Sequence, residues 1–422
     1  MKEDFIYFLW KFQLFDHTDL KTQCGKSVQI KKVGYQNNNS GPDFSEAHLV
    51  IDGMEWFGNV EMHTNSSDWF EHKHQYDKAY NSVILHIVWN YNIPITDTMG
   101  REIPTIELAP LTDDKYLTNY ETLNLSLGTI PCGERLIKVP QIYFKSELEN
   151  QLVHRLERKV EKWKSSKTGE LKTVFYELLA QSFGFKVNSE AFLQTAQQIP
   201  LTTLLKQQND QSEALLFGVS GLLTELWEDD YPKKLLKEWK YLQHKFQLPE
   251  VAYVQWKFSK MRPPNFPTIR MAQFARLIND FQPLFDAVNT NKSLVIIKKF
   301  FQNDVSTYWK AHYTFDKKSK EKSKIMGKSS FYLVVINAII PFIYLKYLNE
   351  KEENVFDYLI DLLEELPAES NHKIDQFTAL GIKPKTALET QALMELLDNK
   401  CTSKQCLSCQ IGNHLVRKQK NK

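Results

Sequence analysis

Two hydrophobic rhythms divide the chain. Between about residues 27 and 108, apolar positions recur every second residue in short runs. From Phe144 onward they recur every three or four, almost to the last residue. The first rhythm belongs to strands and the second to amphipathic helices. Asp4 to Phe15 precedes both, with Phe5, Ile6, Phe8, Leu9, Trp10 and Phe12 spread around its circumference. That pattern predicts a helix buried against a sheet. Ser27 to Tyr35 reads as a first strand, and Gln36 to Gly41 as a polar loop. Ser45 to Asp52 and Met54 to His63 read as two more strands, joined by a turn at Asp52-Gly53. A short helix, an apolar strand Val83 to Val88 and a strand Ile103 to Leu108 complete a small mixed sheet. The stretch 109–140, with Pro110, Gly128 and Pro131, reads as irregular.

The helical rhythm is clearest in Glu147 to Lys164. There Leu148, Leu152, Leu156 and Val160 fall at four-residue steps, opposite a basic face of Arg155, Arg158, Lys159, Lys162 and Lys164. Further helices are expected near 172–184, 213–227, 233–246, 268–280, 292–301, 329–349, 354–365 and 387–398, with Lys317 to Lys328 as a charged connector. Phe331 to Leu345 is the most apolar run. It contains Asn337 and Pro341 and is too short to span a bilayer, so it reads as a core helix. The expected organisation is an α+β domain over 1–110, an irregular linker over 111–143, an all-α domain over 144–400 and a C-terminal segment over 401–422. Its last basic residues, Arg417, Lys418, Lys420 and Lys422, read as a frayed tail.

Charge changes the picture in one respect. Residues 1–139 hold 12 Lys and Arg against 19 Asp and Glu, a balance of −7. Residues 140–422 hold 41 against 32, a balance of +9. An acidic module joined to a basic one suits a metal-dependent enzyme with an anionic substrate. Glu3 and Asp4 stand where an export signal would be basic, and the five cysteines are odd in number. Both point to a reducing cytoplasm, with no membrane partner and no disulfide framework.

Candidate chemistry concentrates between Gly41 and Val88, where five of the eleven histidines lie: His48, His63, His72, His74 and His86. Asp43 opens one strand. Glu61 and His63 share one face of the next, and Val60 and Met62 point to the other. Asp68, His72, His74 and Asp77 follow in a loop. Pro42-Asp43 and Glu61-x-His63 resemble the PD-(D/E)XK, restriction-endonuclease-like nucleases over about residues 20–110. The resemblance implies a mixed sheet with flanking helices and a Mg²⁺ or Mn²⁺ ion held by Asp43 and Glu61 beside a phosphodiester. His63 stands where those enzymes have lysine. As a base it would titrate near neutrality. His72 and His74 are candidate phosphate contacts or further ligands. His86 reads as a near-site core residue, and His48 as solvent-facing.

A second constellation is Cys401-x4-Cys406-x2-Cys409, followed by His414. Three cysteines this close call for a fourth donor, and either Cys132 or His414 could supply it. The cofactor would be Zn²⁺ or an iron–sulfur cluster. Some recombination and CRISPR-adaptation nucleases clamp a cluster with one distant cysteine and a trio, an arrangement that Cys132 and the C-terminal cysteines resemble. Cys24 reads as structural. Met261 to Arg270 is a rigid proline-rich loop entering a helix capped by Thr268. Arg270 would answer an anion there, a buried carboxylate ahead of a nucleic-acid phosphate, with Arg262 nearby.

Nearly the whole chain resembles a bacterial family known only as a domain of unknown function. The residues that carry this are Ser40 to Phe44, Gly58 to His63, Asp68-Trp69, His72, His74, Glu213 to Gly218, Met261 to Pro267 and the C-terminal cysteines. The expected function is metal-dependent cleavage of DNA or RNA. Two alternatives stand beside it: a nucleic-acid-binding or scaffold protein that lost catalysis with its lysine, and a zinc hydrolase using His63, His72 and His74 on another substrate.

Overall fold

In the computed structural model, the first rhythm becomes a helix, α1 (Glu3–Lys11), and six strands: β1 (Val28–Lys32), β2 (Tyr35–Gln36), β3 (Phe44–Ile51), β4 (Met54–Asn65), β5 (Val83–Asn90) and β6 (Thr105–Glu107). A short helix, α2 (Asp68–Glu71), lies between β4 and β5, and α3 (Asp114–Asn124) follows β6. The structure describes residues 2–37, 39–165, 170–207, 210–248 and 256–418. Asn38 of the polar loop and the tail residues Lys420 and Lys422 lie outside these.

The strands form one mixed sheet in the order β1-β3-β4-β5-β6, with β2 also pairing β3. Its first half is antiparallel, while β5 runs parallel to both β4 and β6. Asp52 and Gly53 both take positive φ, 50° and 77°, as a two-residue hairpin requires, and Ile51 pairs with Met54 across them. Val83 to Val88 of β5 is buried at every position, so this strand is covered on both faces. α1 packs on β4 and β5 and buries Phe5, Ile6, Phe8, Leu9 and Trp10. A β-bulge interrupts β3: its register against β4 slips between Phe44 and Ala47, with Glu46 left-handed at φ 54°. Bulges re-aim the neighbouring side chain, and here that neighbour is Asp43.

The 109–140 stretch is not irregular throughout. The Asp113 carboxylate accepts the Lys115 N–H at 2.9 Å and starts α3, which buries Tyr120 and Leu123. Its polar exposed face hid the helix from a reading based on apolar rhythm.

The contact pattern divides the chain into two compact units. The first comprises Met1–Leu148, Ala379–Ile382 and Leu396–Lys422, and the second Glu149–Thr378 and Lys383–Glu395. The second unit is all-helical. Its core includes Phe175 packed on Phe281, Phe285 and Phe342, at ring separations of 4.7–5.8 Å. Helices Phe185–Gln197 and Phe281–Asn289 add to those expected. The apolar run lies in a continuous 23-residue helix, Lys328–Glu350, with a π-turn at Val335–Ile339. That helix is long and apolar enough to cross a membrane, and 72% of its apolar window is buried.

Two expectations about charges are corrected. The basic face of the helix Gln141–Val160 is not simply solvated. Arg155, Arg158 and His154 grip buried Glu395 at 3.1, 2.6 and 3.1 Å, and Lys159 donates to the Ile336 carbonyl at 3.0 Å. Among the described residues, Arg270, in turn, meets no carboxylate. Its guanidinium donates to Gln273, Asn265 and Ser330 and lies 4.4 Å from the Phe185 ring centre. Thr268 is inside its helix, behind Phe266 and Pro267, and donates to the Tyr313 carbonyl instead of capping.

Candidate metal centre

The site belongs to the first unit and is built where β3, β4, β5 and α1 meet. Gly41, left-handed at φ 99°, turns the chain into Pro42 and places Asp43 at the mouth of β3. Asp43 Oδ1 accepts the Tyr7 hydroxyl at 2.8 Å, and Oδ2 accepts the Met62 N–H at 2.9 Å. Its own N–H donates to Glu61 Oε2 at 3.0 Å. The two carboxylates picked from the sequence are thus locked against each other. Burial, and for Glu61 next the charge of Asp43, pushes both carboxyls above their usual range.

Glu61 and His63 do share one face of β4, and the neighbours are histidines. His63 Nδ1 bonds His86 Nε2 at 2.8 Å, and His63 Nε2 lies 3.1 Å from His72 Nδ1. Glu61 Oε1 lies 3.8 Å from His63 Nε2 and 3.5 Å from His74 Nε2. His63, His72 and His74 each bring one ligand atom to within 4.8 Å of the other two. Glu61, His63, His74 and His86 are buried and His72 is exposed, so the set opens to solvent on the His72 side. Lys73, left-handed at φ 62° between two short helical turns, folds His72 and His74 back over β4. Behind the rings stands a wall of Trp69, Val83, Ile95 and Ile103. Tyr80 stacks on His74 at 3.8 Å.

Electrostatics follow from burial. The His63 imidazole is pushed down to about 2 by burial, then by His86, His74 and His72. His74 is pushed down to about 4 by burial and His72, and His86 to about 3 by burial and His74. These rings are neutral at physiological pH, so each offers a lone pair. This corrects the expectation that His63 titrates near neutrality. The ring is too buried to take up a proton there.

The donor set can be tested for fit. A tetrahedral ion bound to imidazole nitrogen at about 2.0–2.1 Å separates its donors by about 3.3 Å. The 3.1, 3.5 and 3.8 Å separations bracket that value. His74 Nε2 is buried without a hydrogen-bond partner, and His63 keeps Nδ1 for His86 while Nε2 faces the cluster. This is the outer-sphere arrangement common to metal-bound histidines. Three nitrogens and one carboxylate suit a transition ion such as Mn²⁺ or Zn²⁺ better than Mg²⁺, which prefers oxygen. Asp43 stays at the rim, with each carboxylate oxygen already accepting a hydrogen bond.

Sequence reasoning missed Tyr7 and Glu3, which stand four residues apart on one face of α1. Tyr7 holds Asp43. Burial raises the Glu3 carboxyl, while His72 lowers it and Asp68 raises it. The signal was the spacing of Glu3 and Tyr7 on a helix whose remaining positions, Asp4 and Lys11 apart, are apolar. Asp68 and Asp77 are structural: Asp68 accepts the Asn65 N–H at 2.8 Å and Asp77 the Ala79 N–H at 2.9 Å. His48 stacks on Phe57 at 4.1 Å, away from the cluster. Arg262 and Arg270 lie in the second unit. Cys132, Cys401, Cys406 and Cys409 are buried in the first, whereas Cys24 is exposed. His414 stacks on Tyr143 at 4.4 Å.

Neither the curated proteins nor the solved structures contain a match to this chain. A family model described as "Protein of unknown function (DUF2851)" matches residues 3–372.

Proposed function

The chain belongs to the DUF2851 family, which brings no activity with it, and we propose that the first unit is a metal-dependent hydrolase acting on phosphodiester bonds of nucleic acid. One observation carries the reading. Three imidazoles and Glu61 converge at separations that suit a single ion, beside a second carboxylate and an opening to solvent. The substrate class rests on the resemblance to PD-(D/E)XK nucleases, in which an aspartate leads one strand and a glutamate sits on the next.

Glu61, His63 and His74 are the buried donors and would fix a divalent cation. His72, on the open side, is the replaceable fourth. Bound there, the cation would supply a Lewis acid for a phosphoryl oxygen and lower the pKa of water. The residues do the rest. Trp69 and Tyr80 hold the imidazole rings in place and exclude water from behind. His86 accepts the His63 Nδ1 proton and so fixes the tautomer that aims Nε2 at the cluster. Asp43, oriented by Tyr7 and Met62, is the carboxylate at the rim that can receive a proton from an attacking water.

His63 cannot replace the missing lysine as a fixed positive charge, because burial keeps it neutral. That favours a second reading, a nucleic-acid-binding protein without catalysis. The test is cleavage of single- and double-stranded DNA and RNA by the full chain with Mn²⁺, Zn²⁺ or Mg²⁺, beside Asp43→Asn and Glu61→Gln. Cleavage lost in both variants is expected. Metal-loaded protein that binds nucleic acid but leaves it intact would transfer the case to the binding reading. Cleavage of a simple phosphodiester or ester, but of no nucleic acid, would leave the hydrolase and remove the substrate.

A further inference from the structure

Four buried thiols in the first unit have no part in the chemistry above. Cys132, Cys401, Cys406 and Cys409 are 6–8% exposed and form no disulfide. Cysteine alone is often a small buried hydrophobe, so burial is not the argument. The convergence of two distant segments is. Lys404 donates to the carbonyls of Asn124 and Ser126 at 2.6 and 3.0 Å, and Asn119 donates to the Val416 carbonyl at 3.1 Å. These bonds tie the cysteine loop and its following helix, Gln410–Arg417, to the chain just ahead of Cys132. The Cys401 thiol is raised by burial, then by Cys132, Cys409 and Cys406, so all four sulfurs face one another electrostatically. Glu147 also raises it, while Arg135 acts on Cys132 and Cys406, and Lys404 on Cys406, in the opposite sense.

The local backbone is shaped for sulfur. A π-turn, Leu397–Cys401, and left-handed Lys404 at φ 53° bring Cys401 round. Cys406 starts a 3₁₀ turn, and Cys409 stands in extended conformation ahead of the last helix. The N–H groups of Ile411 and Gly412 donate to Cys409. Gly412 is required there, because a Cβ would sit 2.2 Å from the Cys406 carbonyl oxygen.

The order of the four cysteines along the chain selects the kind of centre. Their spacing, Cys-x4-Cys-x2-Cys with a remote fourth, is one used for iron–sulfur clusters. We infer that Cys132, Cys401, Cys406 and Cys409 hold an iron–sulfur cluster, separate from the histidine centre, that fastens the C-terminal segment to the 114–136 region. His414 stacks on Tyr143 and its Nε2 is buried without a hydrogen-bond partner; the proposed cluster leaves it out, with Cys132 as the fourth ligand.

The experiment is iron, zinc and acid-labile sulfide content per chain, with the visible spectrum, on full-length protein purified without oxygen. Wild type and Cys24→Ser should carry iron and sulfide with a broad visible absorbance. Cys132→Ser and Cys406→Ser should lose both, and His414→Ala should keep them. Zinc in place of iron, no metal at all, or iron retained in Cys132→Ser would overturn the assignment. If the serine variants do not fold, X-ray absorption at the iron edge of the wild type decides. Sulfur neighbours with a second iron support the cluster, and nitrogen or oxygen neighbours refute it. None of these readouts depends on nucleic-acid cleavage, so the two proposals fail separately.

Discussion

Glu213 offers a sharp test of the second unit's electrostatics. Its carboxyl is 6% exposed, accepts the Tyr231 hydroxyl at 2.9 Å and the Trp309 indole N–H, and faces Ser306. Those donors pull its pKa down, but burial prevails and raises it to about 7. The folded state therefore keeps a proton that the unfolded chain releases at its ordinary value of 4.5. Stability is then highest at low pH and falls as pH rises from about 4.5 to about 7. The slope is about 1.4 kcal/mol per unit, for a total of about 3 kcal/mol. Glu213→Gln keeps an oxygen acceptor for Tyr231 and Trp309 and removes the titration. At pH 8 the variant should resist urea better than wild type by up to about 3 kcal/mol, and the gap should close toward pH 4. Fluorine NMR of 5-fluorotryptophan-labelled protein, which resolves Trp309 from the other tryptophans, follows the unit that contains the change, which matters because two units need not melt together. A difference between the two proteins that stays constant from pH 4 to pH 8 would refute the argument.

Three further outcomes are expected. His74→Ala should abolish tight Mn²⁺ or Zn²⁺ binding by calorimetry while leaving far-UV circular dichroism unchanged; undiminished binding would remove the imidazole centre. Glu395→Ala leaves Arg155 and Arg158 without their carboxylate and should cost about 3 kcal/mol at neutral pH, near the lower end for a buried pair because Arg158 is half exposed. Burial acts to raise the Glu395 carboxyl, but Arg158, His154 and Arg155 outweigh it and hold it down at about 2, so this contribution is present above about pH 4.5 and should vanish as pH falls toward 2, as read from denaturation midpoints. Gly218→Ala places a methyl 2.1 Å from the Trp239 ring and should lower the melting temperature by an amount equivalent to about 1–3 kcal/mol or more.

What the sequence disclosed was local and periodic. Leu148, Leu152, Leu156 and Val160 announced their helix, and the alternation around Glu61 and His63 put both on one face, because those relations repeat within a few residues. Asp52-Gly53 announced its hairpin through backbone chemistry alone. The meeting of His72 and His74 with His63 stood in the sequence only as one alternative among several, since it hangs on a single left-handed lysine between two turns. Tyr7 was hidden because a helix full of aromatics reads as packing until the partner of each is known. Arg270 misled for the opposite reason: its charge suggested a carboxylate, whereas its terminal nitrogens donate to Asn265, Gln273 and Ser330 beside the Phe185 ring, and its Nε is buried without a partner.

The first unit closes on itself through residues far apart in the order of synthesis. Leu396–Lys422 packs with Met1–Leu148, while most of the intervening chain forms the second unit. A ribosome adds about 5–20 residues per second, so the about 270 residues separating Cys132 from Cys401 take about 15–50 s to make. During that interval the sheet, α1 and Cys132 are outside the ribosome without the segment that covers them. Helices of the second unit, whose contacts are largely internal, can form meanwhile. The order of assembly is therefore inside-out: the middle of the chain can reach its fold first, and the beginning must wait for the end. Until then, Cys132 stands without Cys401, Cys406 and Cys409, the other buried cysteines of the first unit.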